Sequence, residues 1–292
     1  MPGRYERPGL NGERALNQIH ELLQIGDLSA SLAAAMESVR ANAADVRQRI
    51  ALFQLYCLTG EWEKARRQLY VLKDMDASTI PMFEAYDPVL QCEMFRSAVF
   101  DGQRSPLFFG EPRDWLATLS SALVEDAAGR KAAADSLRDQ AFDAAPPSNG
   151  SVDGESFEWI ADADGRLGPV LEVYLRGRYY WVPFEHISVI DTDKPEDLRD
   201  LVWTPARFQW TNGGDAVGFI PTRYPGTEAA ADDRLRLSRM TEWIDGDDSE
   251  HAPRGLGQRL LATDRAEYPL LGIRSIRIGA AAEQVNAAAE ES

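Results

Sequence analysis

Between residues 144 and 154 the chain reads Ala-Ala-Pro-Pro-Ser-Asn-Gly-Ser-Val-Asp-Gly, and its apolar residues recur with a different period on each side. Two prolines and two glycines stop any helix, so residues 146 to 155 are expected to be a linker. A chain of 292 residues is long enough for two domains on a prior of about 150 residues each. The break divides it accordingly. Before it the spacing is helical: Ala15, Leu16, Ile19, Leu22 and Leu23, then Leu28, Leu32, Ala35, Met36 and Val39, then Ile50, Ala51, Leu55 and Leu58, then Trp62, Ala65, Leu69 and Leu72. Each stripe predicts a helix with one buried face.

The turns between these helices carry a repeat. Gly26-Asp-Leu28 recurs as Gly60-Glu-Trp62, and each is followed by a small residue, Ser31 or Ala65, five positions after the glycine. A third copy, Gly129-Arg-Lys-Ala-Ala-Ala134, lies two further periods along the chain, and the intermediate position near residue 94 has no glycine. The interval matches the tetratricopeptide period of about 34 residues. In that repeat, glycine closes the turn between paired helices and a small residue lets them pack closely. Residues 13 to 145 therefore read as a degenerate tetratricopeptide-like array of six or seven helices. The alternative is a plain helical bundle whose turn glycines align by chance.

After the break the period becomes that of strands. Phe157–Ile160 alternates, Val170–Leu175 and Tyr179–Val182 bracket the turn Arg176-Gly-Arg178, and Ile187–Ile190 follows Pro183. Asn212-Gly-Gly-Asp215, between Arg207–Trp210 and Ala216–Ile220, is the strongest hairpin signal in the chain. Arg234–Met240 alternates but could be a short helix, and Ile273–Ile278 predicts a last strand. The expected organisation is multidomain, α and α+β: a tetratricopeptide-like all-helical array (13–145), then a strand-rich α+β domain (156–279), barrel-like or a curled sheet. Residues 280 to 292 read as a flexible tail.

Charge and cysteine content exclude several functions. With 31 Lys+Arg against 47 Asp+Glu, the net charge of -16 disfavours nucleic acid, whose binding needs a basic stripe. The first 150 residues carry 16 basic and 21 acidic side chains (-5), leaving 15 and 26 (-11) for the rest, where five of the seven tryptophans also lie. No stretch approaches the roughly 18 apolar residues of a membrane span. The opening Met1–Arg14 lacks the apolar core of a signal peptide, so a cytoplasmic protein is expected. Two cysteines and three histidines make neither a disulfide framework nor a zinc pattern.

Few motifs carry chemistry. Asp162-Ala-Asp164-Gly165 resembles part of a calcium loop, but the twelfth position is Leu171 where a bidentate Glu is needed, so a β-turn with solvated aspartates is the preferred reading. No phosphate loop, nucleophile elbow or paired-histidine zinc motif is present. Glu185-His186 beside Tyr179–Trp181 is the one place where an acid and a histidine could act as catalytic groups, against the plainer reading of a strand-edge histidine bonded to backbone. Arg199, Arg207, Arg223 and Arg259 are set among aromatics, which suits either a protein interface or an internal lattice pairing with Asp200, Asp215 or Glu242.

Taken in order, Phe157–Asp164, Arg166–Leu171, Gly177–Phe184, Asp197–Trp203, Asn212–Gly214, Ile220–Gly226, Thr241–Trp243, Gly255–Arg259 and Glu267–Leu271 resemble the ImpE family, also called TagJ, of type VI secretion accessory proteins. The likeness runs through nearly all of the second domain, and Ser136–Ala145 extends it into the first. The main departure is the longer acidic insertion Asp245–His251, which reads as a surface loop. The resemblance implies a cytoplasmic, non-enzymatic adaptor that binds the N-terminal helix of the small contractile-sheath subunit and is linked to the ring ATPase that disassembles contracted sheaths. It implies no catalytic residue, cofactor or metal. Helical repeats offer a concave surface suited to an amphipathic helix, with Tyr56, Trp62, Arg66 and Tyr70 around the second repeat turn as candidate contacts. Trp62 shares a stripe with Ala65, Leu69 and Leu72 and is the one of the four most open to a core role instead. Competing readings are a generic helical-repeat scaffold and an enzyme using Glu185/His186.

Overall fold

The computed structural model describes residues 8–111, 113–244, 253–279 and 281–282. The helical spacing before the break forms α1 (Pro8–Ile25), α2 (Leu28–Ala41), α3 (Val46–Leu58), α4 (Trp62–Met75), α5 (Ile80–Phe100), α6 (Asp114–Ala127) and α7 (Lys131–Ala144). Local chemistry sets their ends. Asp27 caps α2 by accepting from Ala30 N at 2.8 Å. Asp45 caps α3 by accepting from Arg47 N at 3.0 Å and Gln48 N at 3.3 Å. Such caps satisfy N–H groups that have no partner within the helix. Gly26 and Gly60 close the α1/α2 and α3/α4 turns at φ +85° and +71°. That left-handed conformation is open to glycine without steric cost. No turn occurs near residue 94 because α5 runs uninterrupted for 21 residues through that position.

The second half is strand-rich. Its main sheet has nine strands in the order β1 (Leu107–Phe108), β6 (Arg178–Pro183), β5 (Val170–Leu175), β9 (Asp215–Pro221), β8 (Trp203–Trp210), β7 (Ile187–Thr192), β14 (Ser275–Ile278), β2 (Gly150–Val152) and β3 (Glu155–Phe157). All its pairs are antiparallel except β1 with β6, and the sheet does not close on itself, so it is the curled rather than the barrel alternative. Smaller sheets pair β10 (Thr241–Ile244) with β11 (Arg254–Gly257), and β12 (Leu260–Thr263) with β13 (Glu267–Pro269) and β4 (Ile160–Asp162). The hairpin at Asn212–Gly214 joins β8 to β9, and the alternating stretch from Arg234 is a short helix, α8 (Asp233–Arg236).

Two features depart from the sequence reading. The segment 146–155 is not merely a connection: Gly150–Val152 is a fully buried strand between β14 and β3. A Cβ at Gly150 would overlap Arg277 O, so this glycine marks close backbone approach rather than a flexible break. The two halves also share one core. Leu55, Leu58, Leu69, Leu90 and Tyr86 of the helices pack in the same cluster as Tyr174, Tyr179, Trp181, Trp203 and Leu237, while Leu171, Val182, Ile190, Phe208 and Ile276 form a second core on the opposite side of the sheet. The insertion at 245–251 lies outside the described residues, as does the expected tail apart from Ala281 and Ala282.

The repeat turns are the seam. Arg223 is buried and donates to Leu58 O (2.8 Å), Cys57 O (3.2 Å) and Arg236 O (2.7 Å). It thereby caps the last turn of α3, where the helix dipole favours a cation. Arg239 caps α1 in the same way through Leu23 O (2.6 Å) and Gln24 O (3.2 Å). Asp233 accepts from Leu28 N (2.9 Å) at the start of α2. Both of the first two repeat turns are thus held by side chains of the second half.

Candidate functional site

The four residues singled out around the second repeat turn fall into two environments. Trp62, at the start of α4, packs against Trp203 of β8 (centroids 6.0 Å apart), which continues to Tyr86 (5.7 Å) and from there to Phe219 (5.4 Å). Tyr56 is 6% exposed and lies in the same core. The face of the array expected to receive a helix is therefore partly covered at Trp62 by Trp203 of β8, and Tyr56 is buried in the core that the two halves share. Trp62 keeps part of its surface on the cleft it lines with Glu93, Arg96 and Phe100.

Arg66 and Tyr70 are different. They follow Trp62 at spacings of four along one ridge of α4, which climbs out of the shared core. Tyr70 is 42% exposed and meets Phe83 of α5 edge to face at 4.9 Å. Lys73 Nζ lies 4.4 Å from the Phe83 centroid and 5.2 Å from that of Tyr70, and the Arg66 guanidinium is 5.6 Å from Tyr70. At such distances a cation is attracted by the ring's negative face. Arg66 Nε donates to Asp87 Oδ1 (2.6 Å), whose other oxygen accepts from Gln91 (2.9 Å). That hydrogen bond to Asp87 raises the Arg66 pKa further. The surface that remains is an aromatic pair bridging α4 and α5, overlaid with cations, with Ile80 one turn before Phe83 and 38% exposed. Phe83 escapes a sequence reading because only the α4/α5 pairing brings it to Tyr70, whereas Lys73 lies three residues beyond Tyr70 on the same helix, where helical spacing alone places it alongside.

The alternative catalytic pair has structural employment. His186 Nδ1 is 2.9 Å from Phe109 O. Because a carbonyl can only accept, that nitrogen carries the proton. Glu185 pairs with Arg113 at 3.5 Å. Both side chains hold the stretch between α5 and α6 against the sheet, and a Cβ at Gly110 would stand 2.6 Å from the His186 ring.

Carboxylates with displaced pKa values do converge elsewhere, on β5 and β4. Glu172, the one charged residue in the otherwise apolar β5, accepts from both Nε and Nη2 of Arg96 (2.7 Å each), from Tyr179 OH (2.6 Å) and from Arg259. Arg259 also pairs with Asp162, and Arg166 with Asp164 (2.6 Å). Glu93 accepts from Tyr174 OH and Trp203 Nε1, each 2.8 Å. Burial works against the charge on Glu172, yet Arg96 and Arg259 outweigh it and hold the carboxyl down at about 2. At Asp162 burial prevails over Arg259 and pushes the carboxyl up to about 7. Both acids are sealed: neither lines the neighbouring cleft of Trp62, Glu93, Arg96, Phe100 and Arg166. Asp162 and Asp164, expected to be solvated, are instead the acids of this buried lattice, and no cluster suited to a metal occurs among the described residues.

The arginines set among aromatics divide accordingly. Arg259 and Arg223 are internal, and Arg199 pairs with Asp197 over the Tyr86 ring (4.6 Å). Only Arg207 of the four is outward, 3.3 Å from Asp193. None of the four forms a direct ion pair with Asp200, Asp215 or Glu242: Asp200 acts on Arg199 only through its charge and accepts from the backbone N–H groups of Glu196 (2.7 Å) and Asp197 (3.1 Å).

Comparison with known proteins places this architecture. The family model described as ImpE protein matches residues 154–277. A curated relative, the type VI secretion system accessory component TagJ of Pseudomonas aeruginosa, is 44% identical over 258 residues, spanning 88% of this chain and 89% of that protein. The chain belongs to the ImpE family. A Vibrio parahaemolyticus protein solved by X-ray crystallography shares the fold at a TM-score of 0.82 and 22% identity, over 90% of this chain and 97% of that one. The ImpE match spans β3 through most of β14, and so contains Arg259, Glu172 and Asp162 of the lattice together with Arg223 and Arg239, which cap the helical array. None of the described helices of this ImpE-family chain is long and apolar enough to cross a membrane.

Proposed function

We propose that this chain is a cytoplasmic adaptor of a type VI secretion system, without catalytic activity of its own. It binds the N-terminal helix of the small contractile-sheath subunit and is linked to disassembly or recycling of sheaths by the ring ATPase. The observation that carries the secretion role is the 44% identity to an accessory component of that system along 88% of the chain. The adaptor reading is favoured over an enzyme because the only acid–histidine pair proposed from sequence is engaged with Phe109 and Arg113, and the displaced carboxylates are sealed inside a lattice of guanidinium groups. Of the four contacts proposed at the second repeat turn, Arg66 and Tyr70 are accessible to a partner, Trp62 packs on Trp203 while lining a cleft, and Tyr56 is buried in the shared core.

The test is copurification of the full chain with the small sheath subunit, intact or lacking its N-terminal helix. Retention of the intact subunit and loss of the truncated one is expected. Failure to retain the intact subunit would reject the sheath adaptor and leave a helical scaffold for a different partner.

A further inference from the structure

Helix α4 has a charge opposite to that of the molecule, while α5 beside it carries Glu84, Asp87 and Glu93 against Arg96. Between Trp62 and Met75 the chain carries Lys64, Arg66, Arg67 and Lys73 against Glu63 and Asp74, in a protein whose net charge is -16. Lys64 pairs with Glu61 (2.9 Å) and Arg66 with Asp87. Lys73 pairs with no carboxylate among the described residues: its ammonium rests against Phe83 and Tyr70. Arg67 likewise has no acidic partner among them, its Nε donating to Glu63 O at 3.3 Å. Where acids are in such excess, a lysine without one, resting on an aromatic pair whose Tyr70 ring is exposed, is the natural complement of an incoming carboxylate. The rings supply the apolar half of the contact, and a carboxylate at Lys73 would form its ion pair partly shielded from water, where it is stronger than on an open surface.

We infer that the α4–α5 surface selects a partner segment with an acidic side chain one helical turn from a large aliphatic one, the carboxylate meeting Lys73 and the aliphatic group the Tyr70/Phe83/Ile80 edge. This rests on the adaptor reading above and adds the chemistry of what is bound. It also assigns Lys73 and Phe83 to the contact.

The probe is the purified small sheath subunit, titrated against the full chain at about 50 and about 300 mM salt. Lys73→Glu and Tyr70→Ala should each weaken association about tenfold, and the higher salt about threefold. Tyr70→Phe, which keeps the ring, should bind as the parent does. Arg207→Glu on the exposed face of β8 is the control for net charge and should change affinity less than twofold. Thermal melts check that each variant folds. If the parent binds while Lys73→Glu and Tyr70→Ala remain within twofold of it, or if salt strengthens binding, the inference is overturned and the adaptor reading stands. If the parent does not bind at all, both fall.

Discussion

The docking of the repeat turns onto the second half can be weighed by placing one methyl group at each of two matched turns. Gly60 and Gly129 have nearly the same backbone, φ +71° and +75°. Left-handed strain should therefore cost an alanine about 1–2 kcal/mol at either position. Their surroundings differ. At Gly129 a Cβ meets nothing within 4 Å, whereas at Gly60 it would lie 2.5 Å from Glu228 Cβ and 2.6 Å from Cγ. Those are the inner atoms of the side chain, so relief requires moving the turn Thr227–Ala229, which is itself tied down because Gly257 N donates to Thr227 Oγ1 at 2.9 Å. Overpacking of this kind adds about 1–3 kcal/mol. Gly60→Ala should therefore cost about 2–5 kcal/mol and Gly129→Ala about 1–2 kcal/mol. Urea titration followed by tryptophan fluorescence measures both, with midpoints compared at equal slope. Glu228→Gly removes the obstructing atoms, so the double variant with Gly60→Ala should recover about 1–3 kcal/mol relative to additivity. Equal costs at the two glycines, or strict additivity with Glu228→Gly, would refute the claim that this turn is a docking point.

Two further outcomes follow from the buried lattice. Glu172→Gln leaves Arg96 and Arg259 buried with one carboxylate fewer and should destabilise the chain by about 3–5 kcal/mol, read as a lowered urea midpoint. The acids also fix how stability depends on pH. Glu172 is depressed from 4.5 to about 2, so its contribution is complete above 4.5 and is lost as pH falls toward 2. Asp162 is raised from 3.8 to about 7, so the folded state holds a proton that the unfolded chain releases, and stability rises as pH falls from above 7 toward 4. Melting temperature should peak between about pH 4 and 6. Asp162→Asn should remove the gain on the alkaline side of that peak while leaving the loss at acid pH, and an unchanged profile in this variant would contradict the assignment.

How much of the fold is legible in the sequence depends on how local each signal is. The helices and the β8–β9 hairpin can be read because glycine turns, Asp27 and Asp45 caps and Asn212-Gly-Gly act over a few residues. β14 is legible as a strand but not as a central one, since its neighbours β7 and β2 lie far away in sequence. β1 has only two residues and no periodicity to detect. Gly150 misleads because glycine for a turn and glycine for close approach look alike until the opposing carbonyl is known. The same holds for the arginines: Arg259 finds its acids 97 and 87 positions away, so residue type announces a pair without naming the partner.

Trp62 shows what that ambiguity means for function. The ridge Trp62–Arg66–Tyr70 reads correctly as one face of one helix, but that face is not a single environment. Its N-terminal end packs on Trp203, and its C-terminal end carries the exposed Tyr70 ring against Phe83. The sheet thus fixes the orientation of α4 at one end while leaving the other exposed. Cutting the chain at residue 145 would not isolate a binding domain: it would uncover Tyr56, Trp62, Tyr86 and Leu90, which share a core with Trp203 and Tyr174. Such an apolar surface captures amphipathic helices indiscriminately. Specific association should therefore require the full chain, and a fragment ending at 145 should expose hydrophobic surface to a dye such as ANS. A fragment that instead melts cooperatively, binds no dye and still retains the sheath subunit in a Lys73-dependent manner would show that the shared core is dispensable for recognition.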